Sequence, residues 1–175
     1  DEVRLYSDGE LASSNNGPAI QSNENPMMIG ENPDARNRTW SGIIDDVGIW
    51  NRPLSEDEIA QLSESSIGNL IGGGELVPGL IAYWPFDNAA EIEGSQVVVD
   101  LIAGLEGEVN GDGIVAGEGF LGGAIDFAED ATDGSVTIEY VNDWLAPASD
   151  ADQLSVSLWQ KLHAVRSTST FWFSA

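Results

Sequence analysis

Short segments in which apolar and polar residues alternate, separated by turn-forming residues, constrain the fold of this chain more than any other feature. The clearest segment is 154–162, where Leu154, Val156 and Leu158 are spaced to face one way. A period of two predicts a β-strand with one buried face. Residues 40–50 (WSGIIDDVGIW) are rich in β-branched and aromatic residues and predict a further strand. Many short strands with frequent turn signals predict an all-β, antiparallel β-sandwich.

A β-hairpin is predicted at residues 2–12, because Asp8 and Gly9 lie between two short alternating stretches. Tight hairpin turns need a positive φ at both central residues, and Asp-Gly adopts it readily. Residues 87–119 are predicted to be mostly loop, with a short strand at 97–99. Further strands are predicted at 27–30, 80–86, 120–128 and 136–140.

One short helix is predicted after Pro53. Ser55 and Glu58 have the spacing of a capping box, in which each side chain accepts a hydrogen bond from the other residue's backbone amide. Residues 64–78 follow and contain three consecutive glycines, which favour a linker.

The chain has 30 acidic residues against six Lys and Arg, for a formal net charge of −24. Such a surface repels nucleic acid and anionic membranes, so neither is an expected partner. It attracts cations, and calcium above all prefers hard oxygen ligands.

No apolar run approaches the roughly 20 residues that span a bilayer, so no membrane insertion is expected. The chain has no cysteine, which excludes disulfides and favours a bacterial source.

Two stretches resemble a known family. EVRLYSDGELASS, PMMIG and WSGIIDDVGIWNRPLSEDEIAQL resemble the closing third of laminin-G-like and pentraxin-like domains, which share the concanavalin A-like jelly roll. GLIAYWPFDN, FLGGAIDF, LSVSLWQKL and TFWFSA resemble the opening half of the same family. The resemblance implies an all-β jelly-roll sandwich.

The closing motif precedes the opening motif, and the middle strands of the family are missing. Residues 1–63 are therefore expected to be the C-terminal part of one module, 64–78 a linker, and 79–175 the N-terminal part of the next. Three arrangements fit this order. The chain spans a junction in a tandem array, or it is a permuted single domain, or neighbouring chains complete each other's incomplete sheets.

The resemblance implies a structural calcium ion, because family members carry a metal where the first and last strands meet as antiparallel neighbours. The residues of this chain at that position are Asp45 and Asp46 on one strand, and Asp87 with Asn88 on the other. Carboxylates and loop carbonyls suit the six to eight oxygen ligands of calcium.

Tryptophan is frequent, with six in the chain. Trp40 and Trp144 lie in loop-like sequence and are the candidates for stacking on a carbohydrate ring. The remaining four lie in predicted strands and are expected to pack in the core.

Catalysis is not expected. His163 is the only histidine, and nothing near it in sequence suggests a catalytic triad. The paired-carboxylate strand motif of glycoside hydrolases with this fold is also missing. The expected function is a non-catalytic binding or adhesion module for carbohydrate or extracellular protein, at a bacterial cell surface or outside the cell. The alternative is a structural repeat or assembly unit that contacts neighbouring modules or chains.

Overall fold

The computed structural model of the chain describes residues 2–20, 25–33, 38–71, 78–88, 92, 96–139, 141–163 and 173–174. The strands among these residues are β1 Glu2–Ser7, β2 Glu10–Asn16, β3 Met27–Ile29, β4 Gly42–Trp50, β5 Leu80–Trp84, β6 Val97–Val99, β7 Glu106–Glu118, β8 Gly123–Ile138, β9 Ser155–Leu162 and β10 Phe173–Ser174. The short helices are α1 Glu56–Leu62, α2 Ile67–Ile71, α3 Val141–Trp144 and α4 Ala146–Ala151.

Strand β4 is the centre of the main sheet. One of its edges pairs with β9 along most of its length, from Gly42 opposite Leu162 to Trp50 opposite Ser155. Its other edge pairs first with β8 and then with β5, where Val47 lies opposite Trp84. Strand β4 has paired strands along both edges, and it is buried at nearly every position. All these pairings are antiparallel.

The long strand β8 carries the rest of the sheet. It pairs with β7 along one edge, and with β4 and then β3 along the other. Strand β6 extends the sheet beyond β7, and β10 extends it beyond β3. The sheet curls into a sandwich-like half-barrel, so the predicted all-β antiparallel sandwich is confirmed.

One main core lies between the curled faces. It contains Met27 and Ile44 from the first third of the chain and Trp84, Phe127 and Val136 from the remainder. Residues on both sides of the predicted linker therefore share one sheet and one core. The assignment of these parts to two different modules stays a prediction.

The hairpin and the first helix follow the sequence prediction. Strands β1 and β2 pair antiparallel, and Asp8 and Gly9 have φ of 51° and 79°. Helix α1 begins after Ser55, whose side chain accepts a hydrogen bond from the Glu58 amide, while the Glu58 side chain accepts one from the Ser55 amide. The predicted capping box is therefore confirmed.

The structure differs from the sequence prediction in several places. The described residues form four short helices where one was predicted. Residues 106–118, expected to be loop, form the 13-residue strand β7, because pairing with β8 organises a glycine- and acid-rich stretch whose own propensity for a strand is low. Residues 67–71 lie in the predicted linker but form α2, since Ile67 is buried against Trp50 and Tyr83 in a second, smaller cluster. The three glycines 72–74 lie outside the described residues.

Candidate functional site

Asp45 is a buried carboxylate in the middle of β4, with 1% of its surface exposed. Its Oδ2 accepts a 2.7 Å hydrogen bond from the Phe120 amide. Its Oδ1 is buried and has no hydrogen-bond partner. A buried carboxylate oxygen without a partner is costly in free energy, so a positive ligand at Oδ1 would relieve that cost.

Asp87 lies three residues beyond the end of β5 and is exposed. Its Oδ1 accepts a 2.9 Å hydrogen bond from the Gly123 amide. The preceding Phe86 has a φ of 54°, a left-handed conformation that is rare for an aromatic residue. This backbone turn ends the strand and directs the chain toward the turn between β7 and β8.

Asp45 and Asp87 lie close enough for their charges to interact, because β4 and β5 are antiparallel neighbours, as the resemblance implied. Asp45 and Asp87 are both hydrogen-bonded to the short turn at 119–123, which links β7 to β8. That turn is closed by a 3.1 Å hydrogen bond from the Gly119 amide to the Gly122 carbonyl. The structure therefore gathers three chain segments around one acidic pair.

The pKa of Asp45 is raised to about 7. The main cause is burial, which removes water from the charged form, and the negative charges of Asp46 and Asp87 add to it. The backbone amides of Phe120 and Asp46 oppose this rise. Near neutral pH this site holds either a proton or a destabilised negative charge. A bound cation would favour the charged form.

Asp46 has different hydrogen-bond partners from those of Asp45. It is 3% exposed and accepts a 2.5 Å hydrogen bond from the Tyr83 hydroxyl and a 3.2 Å hydrogen bond from the Ile67 amide. Burial is also the main reason that its pKa is raised, and the Tyr83 hydroxyl opposes that rise. These partners tie α2 to the sheet. Asp45 therefore contacts the turn 119–123, whereas Asp46 contacts Tyr83 and α2.

Glycines in the turn allow the carboxylates to approach the backbone. A Cβ added at Gly119 would lie 2.3 Å from Oδ2 of Asp45, and one at Gly122 would lie 1.9 Å from Oδ1 of Asp87. Gly122 also has a φ of 85°, which an L-residue rarely adopts. Sequence reasoning missed this role of the turn, although the run GEGFLGG was a visible signal.

The ligands available to a cation are two carboxylates and nearby carbonyl groups. The Phe86 and Asp87 carbonyl oxygens face Gly123, lying 2.8 Å and 3.0 Å from the position of its missing Cβ. Asn88 is exposed directly after Asp87. In the part of the chain that the structure describes, no group of three or more histidine or acidic side chains is arranged to hold a metal ion. Calcium at Asp45, Asp46, Asp87 and Asn88 therefore stays a prediction, and Asp45 with Asp87 fits it best.

The two candidate stacking tryptophans lie in different surroundings. Trp40 is 5% exposed and belongs to the main core, so its ring offers no free face and the structure does not support it as a stacking residue. Trp144 is half-buried and packs edge-on against Trp84, with ring centroids 6.2 Å apart. A more exposed aromatic pair lies beside the acidic site, where Phe120 stacks on Trp159 at a centroid distance of 3.6 Å.

Comparison with known proteins supports the family resemblance for the first third of the chain. Residues 1–60 match the Laminin_G_3 family model, described as the concanavalin A-like lectin/glucanases superfamily. The predicted resemblance to laminin-G-like jelly-roll domains is confirmed over these residues, and the curled antiparallel sheet agrees with it. No curated protein and no solved structure gives a significant match.

The family match indicates a general class of function but no specific ligand. Laminin-G-like domains are generally binding modules without catalytic activity, and they bind carbohydrate or protein. They are typically found outside the cell. Within the described ranges, no helix is both long and apolar enough to cross a bilayer.

Proposed function

We propose that this chain is a non-catalytic binding module for carbohydrate or protein ligands outside the cell, with calcium as a structural ion between Asp45 and Asp87. The observation that supports the calcium assignment is the buried, unpartnered Oδ1 of Asp45, whose other carboxylate oxygen binds the same turn that Asp87 binds. An ion there would join β4, the segment after β5 and the turn 119–123. It would fix the turn that carries Phe120.

Thermal unfolding tests the proposal. In millimolar calcium the melting temperature should rise above its value in excess chelator, because an ion bound only by the folded state stabilises it by mass action. At about a hundred times the Kd, the gain corresponds to roughly 5–10 °C for a domain of this size. Magnesium at the same concentration is the control for ionic strength. An equal rise in melting temperature with magnesium would mean that general charge screening, and not a specific calcium site, stabilises the fold.

Three variants locate the ion. Asp87→Asn and Asp45→Asn should each abolish the calcium-dependent rise. Asp46→Asn is the matched control, because Asp46 contacts Tyr83 and Ile67. It should lower the melting temperature equally with calcium and with chelator. If Asp46→Asn alone removes the calcium response, the ion lies elsewhere.

The ligand class is tested separately with an array of neutral and acidic glycans, in calcium and in chelator. Binding that requires calcium supports a module in which the ion holds the binding surface in place. Calcium-dependent stabilisation without any glycan binding would direct the search to protein ligands.

A structural repeat or assembly unit is the second candidate. The hairpin β1–β2 favours it, because Val3, Leu5 and Leu11 are 57%, 56% and 55% exposed, and among the described residues its strands pair only with each other. Exposed strand edges with apolar side chains promote association with other chains. Sedimentation at two protein concentrations tests this, and a monomer at both would exclude self-assembly through the hairpin.

A further inference from the structure

A cavity of about 720 Å³ lies at one end of the sheet, away from the acidic pair of Asp45 and Asp87. Strands β6, β7 and β8 form one side, and α3 forms the other. Its volume is within the usual range for sites that take small molecules.

The orientation of the β7 side chains follows from Gly107. A Cβ added there would meet the side chains of Val98, Val136 and Ile138, so Gly107 faces the core. Because side chains alternate along a strand, Glu106 and Glu108 both point to the opposite face.

Pairing extends this face across three strands. Glu108 lies opposite Val97 of β6 and opposite Thr137 of β8. The result is a row with one carboxylate, one apolar group and one hydroxyl, which lines the cavity.

Helix α3 and the end of β8 add two more carboxylates and an aromatic wall. Glu139 and Asp143 line the cavity together with Glu106 and Glu108, so four acidic side chains surround it. Trp144 forms a wall and is held in place by its edge-on packing against Trp84. The lining residues include Val97 and Leu105 and, among the described part of the chain, no lysine, arginine or histidine.

We propose that this cavity binds an alkylammonium group, a cation carried on an apolar stem. The four carboxylates favour a positive charge and disfavour an anion or a second acidic chain. Trp144 and the aliphatic side chains suit methylene groups, and an aromatic face also attracts a cation. A free diamine and a lysine side chain share this chemistry. The site uses none of the residues proposed to hold calcium, so it stands independently of that ion.

Calorimetric titration of the whole chain at 0.15 M salt, with chelator present, tests the site. The probes are 1,5-diaminopentane and the amide of Nα-acetyl-lysine, and 1,5-pentanediol is the neutral control. We expect saturable binding of the diamine with one site, and no binding of the diol. Binding of the lysine derivative as well would identify a lysine side chain as a ligand, whereas binding of the diamine alone would identify a free polyamine.

Two double variants separate the cavity from the general acidity of the surface. Glu106→Gln with Glu108→Gln should weaken diamine binding about tenfold, as expected for loss of charged hydrogen-bond partners. Glu56→Gln with Asp57→Asn removes two charges from α1, outside the cavity, and should change the affinity less than about twofold. All four positions are exposed, so the variants are expected to fold, which circular dichroism checks.

Three results would overturn the proposal. Equal weakening in both double variants would mean that only the net charge attracts the diamine. Equal binding of the diol would mean that the cavity recognises a neutral ligand such as a sugar. The absence of saturable binding at 0.15 M salt would exclude a cation site in this cavity.

Discussion

Asp45 and Phe120 are 75 residues apart in sequence, yet the carboxylate of one accepts a 2.7 Å hydrogen bond from the amide of the other. This contact attaches the turn between β7 and β8 to the centre of the sheet. It also places the stacked pair of Phe120 and Trp159 next to the acidic pair. A change in the charge of Asp45 is therefore expected to affect the turn directly.

The pH dependence of stability follows from Asp45, whose folded-state pKa is raised to about 7 against an ordinary value of 3.8. Between these values the folded state holds a proton that the unfolded state has lost, so in chelator stability should fall as the pH rises from about 4 to 7. Asp45→Asn should flatten this decline and raise the melting temperature at pH 7.5. Melting curves across pH 4.5–8 measure it, and Asp150→Asn, at an exposed position in α4, should leave the decline unchanged.

Gly122→Ala should disrupt the turn. The new Cβ would lie 1.9 Å from Oδ1 of Asp87 at a φ of 85°, so we expect a loss of about 2–4 kcal/mol from strain and overpacking together. Gly104→Ala is the matched control, because Gly104 has a φ of 72° but nothing within 4 Å of its Cβ position. That control should cost only the backbone strain of about 1–2 kcal/mol. Equal losses in urea unfolding would contradict the close approach of Asp87.

Trp84→Ala should lower the free energy of unfolding by about 3–5 kcal/mol, because the ring is fully buried and truncation leaves a large cavity. Phe120→Ala removes a ring that is 44% exposed, and should cost about 0.5–1.5 kcal/mol through lost stacking on Trp159. Chemical denaturation of both variants provides the comparison. A loss below 1 kcal/mol for Trp84→Ala would mean that the main core is assembled differently.

Tyr83→Phe should destabilise the chain by about 1–3 kcal/mol, because it removes a hydroxyl that donates to buried Asp46 and accepts from the Gly68 amide. The loss should be the same with calcium and with chelator. Tyr6→Phe in the hairpin is the control and should stay within about 0.5 kcal/mol. A calcium-dependent loss in Tyr83→Phe would instead connect Asp46 to the ion.

Local signals in the sequence predicted the parts of the fold that depend on local structure. Asp8 and Gly9 specify a turn whatever lies beyond the hairpin, and Ser55 with Glu58 specifies a helix start. Strand β7 could not be predicted in this way, because its glycine-rich sequence becomes a strand only when β8 lies beside it.

The candidate site shows the same limit. The resemblance indicated Asp45 and Asp87, but no local pattern indicates that the Phe120 and Gly123 amides bind them. The neighbours of Trp40 in sequence are polar, yet its ring packs in a core formed by distant strands. The burial of a side chain depends on the whole fold, so it cannot be predicted from a short window of sequence.

The long sequence separation between β4 and its partner β9 affects how the chain folds during synthesis. Gly42 pairs with Leu162, so this apolar strand is made long before the last of its partners. At synthesis rates of about 5–20 residues per second, the intervening chain takes roughly 6–24 s to emerge. A segment such as GIIDDVGIW would be prone to aggregation while it waits, and the charges of Asp45 and Asp46 interrupt it at its centre. We therefore expect the two aspartates that are costly to bury in the folded protein to protect the nascent chain before folding is complete.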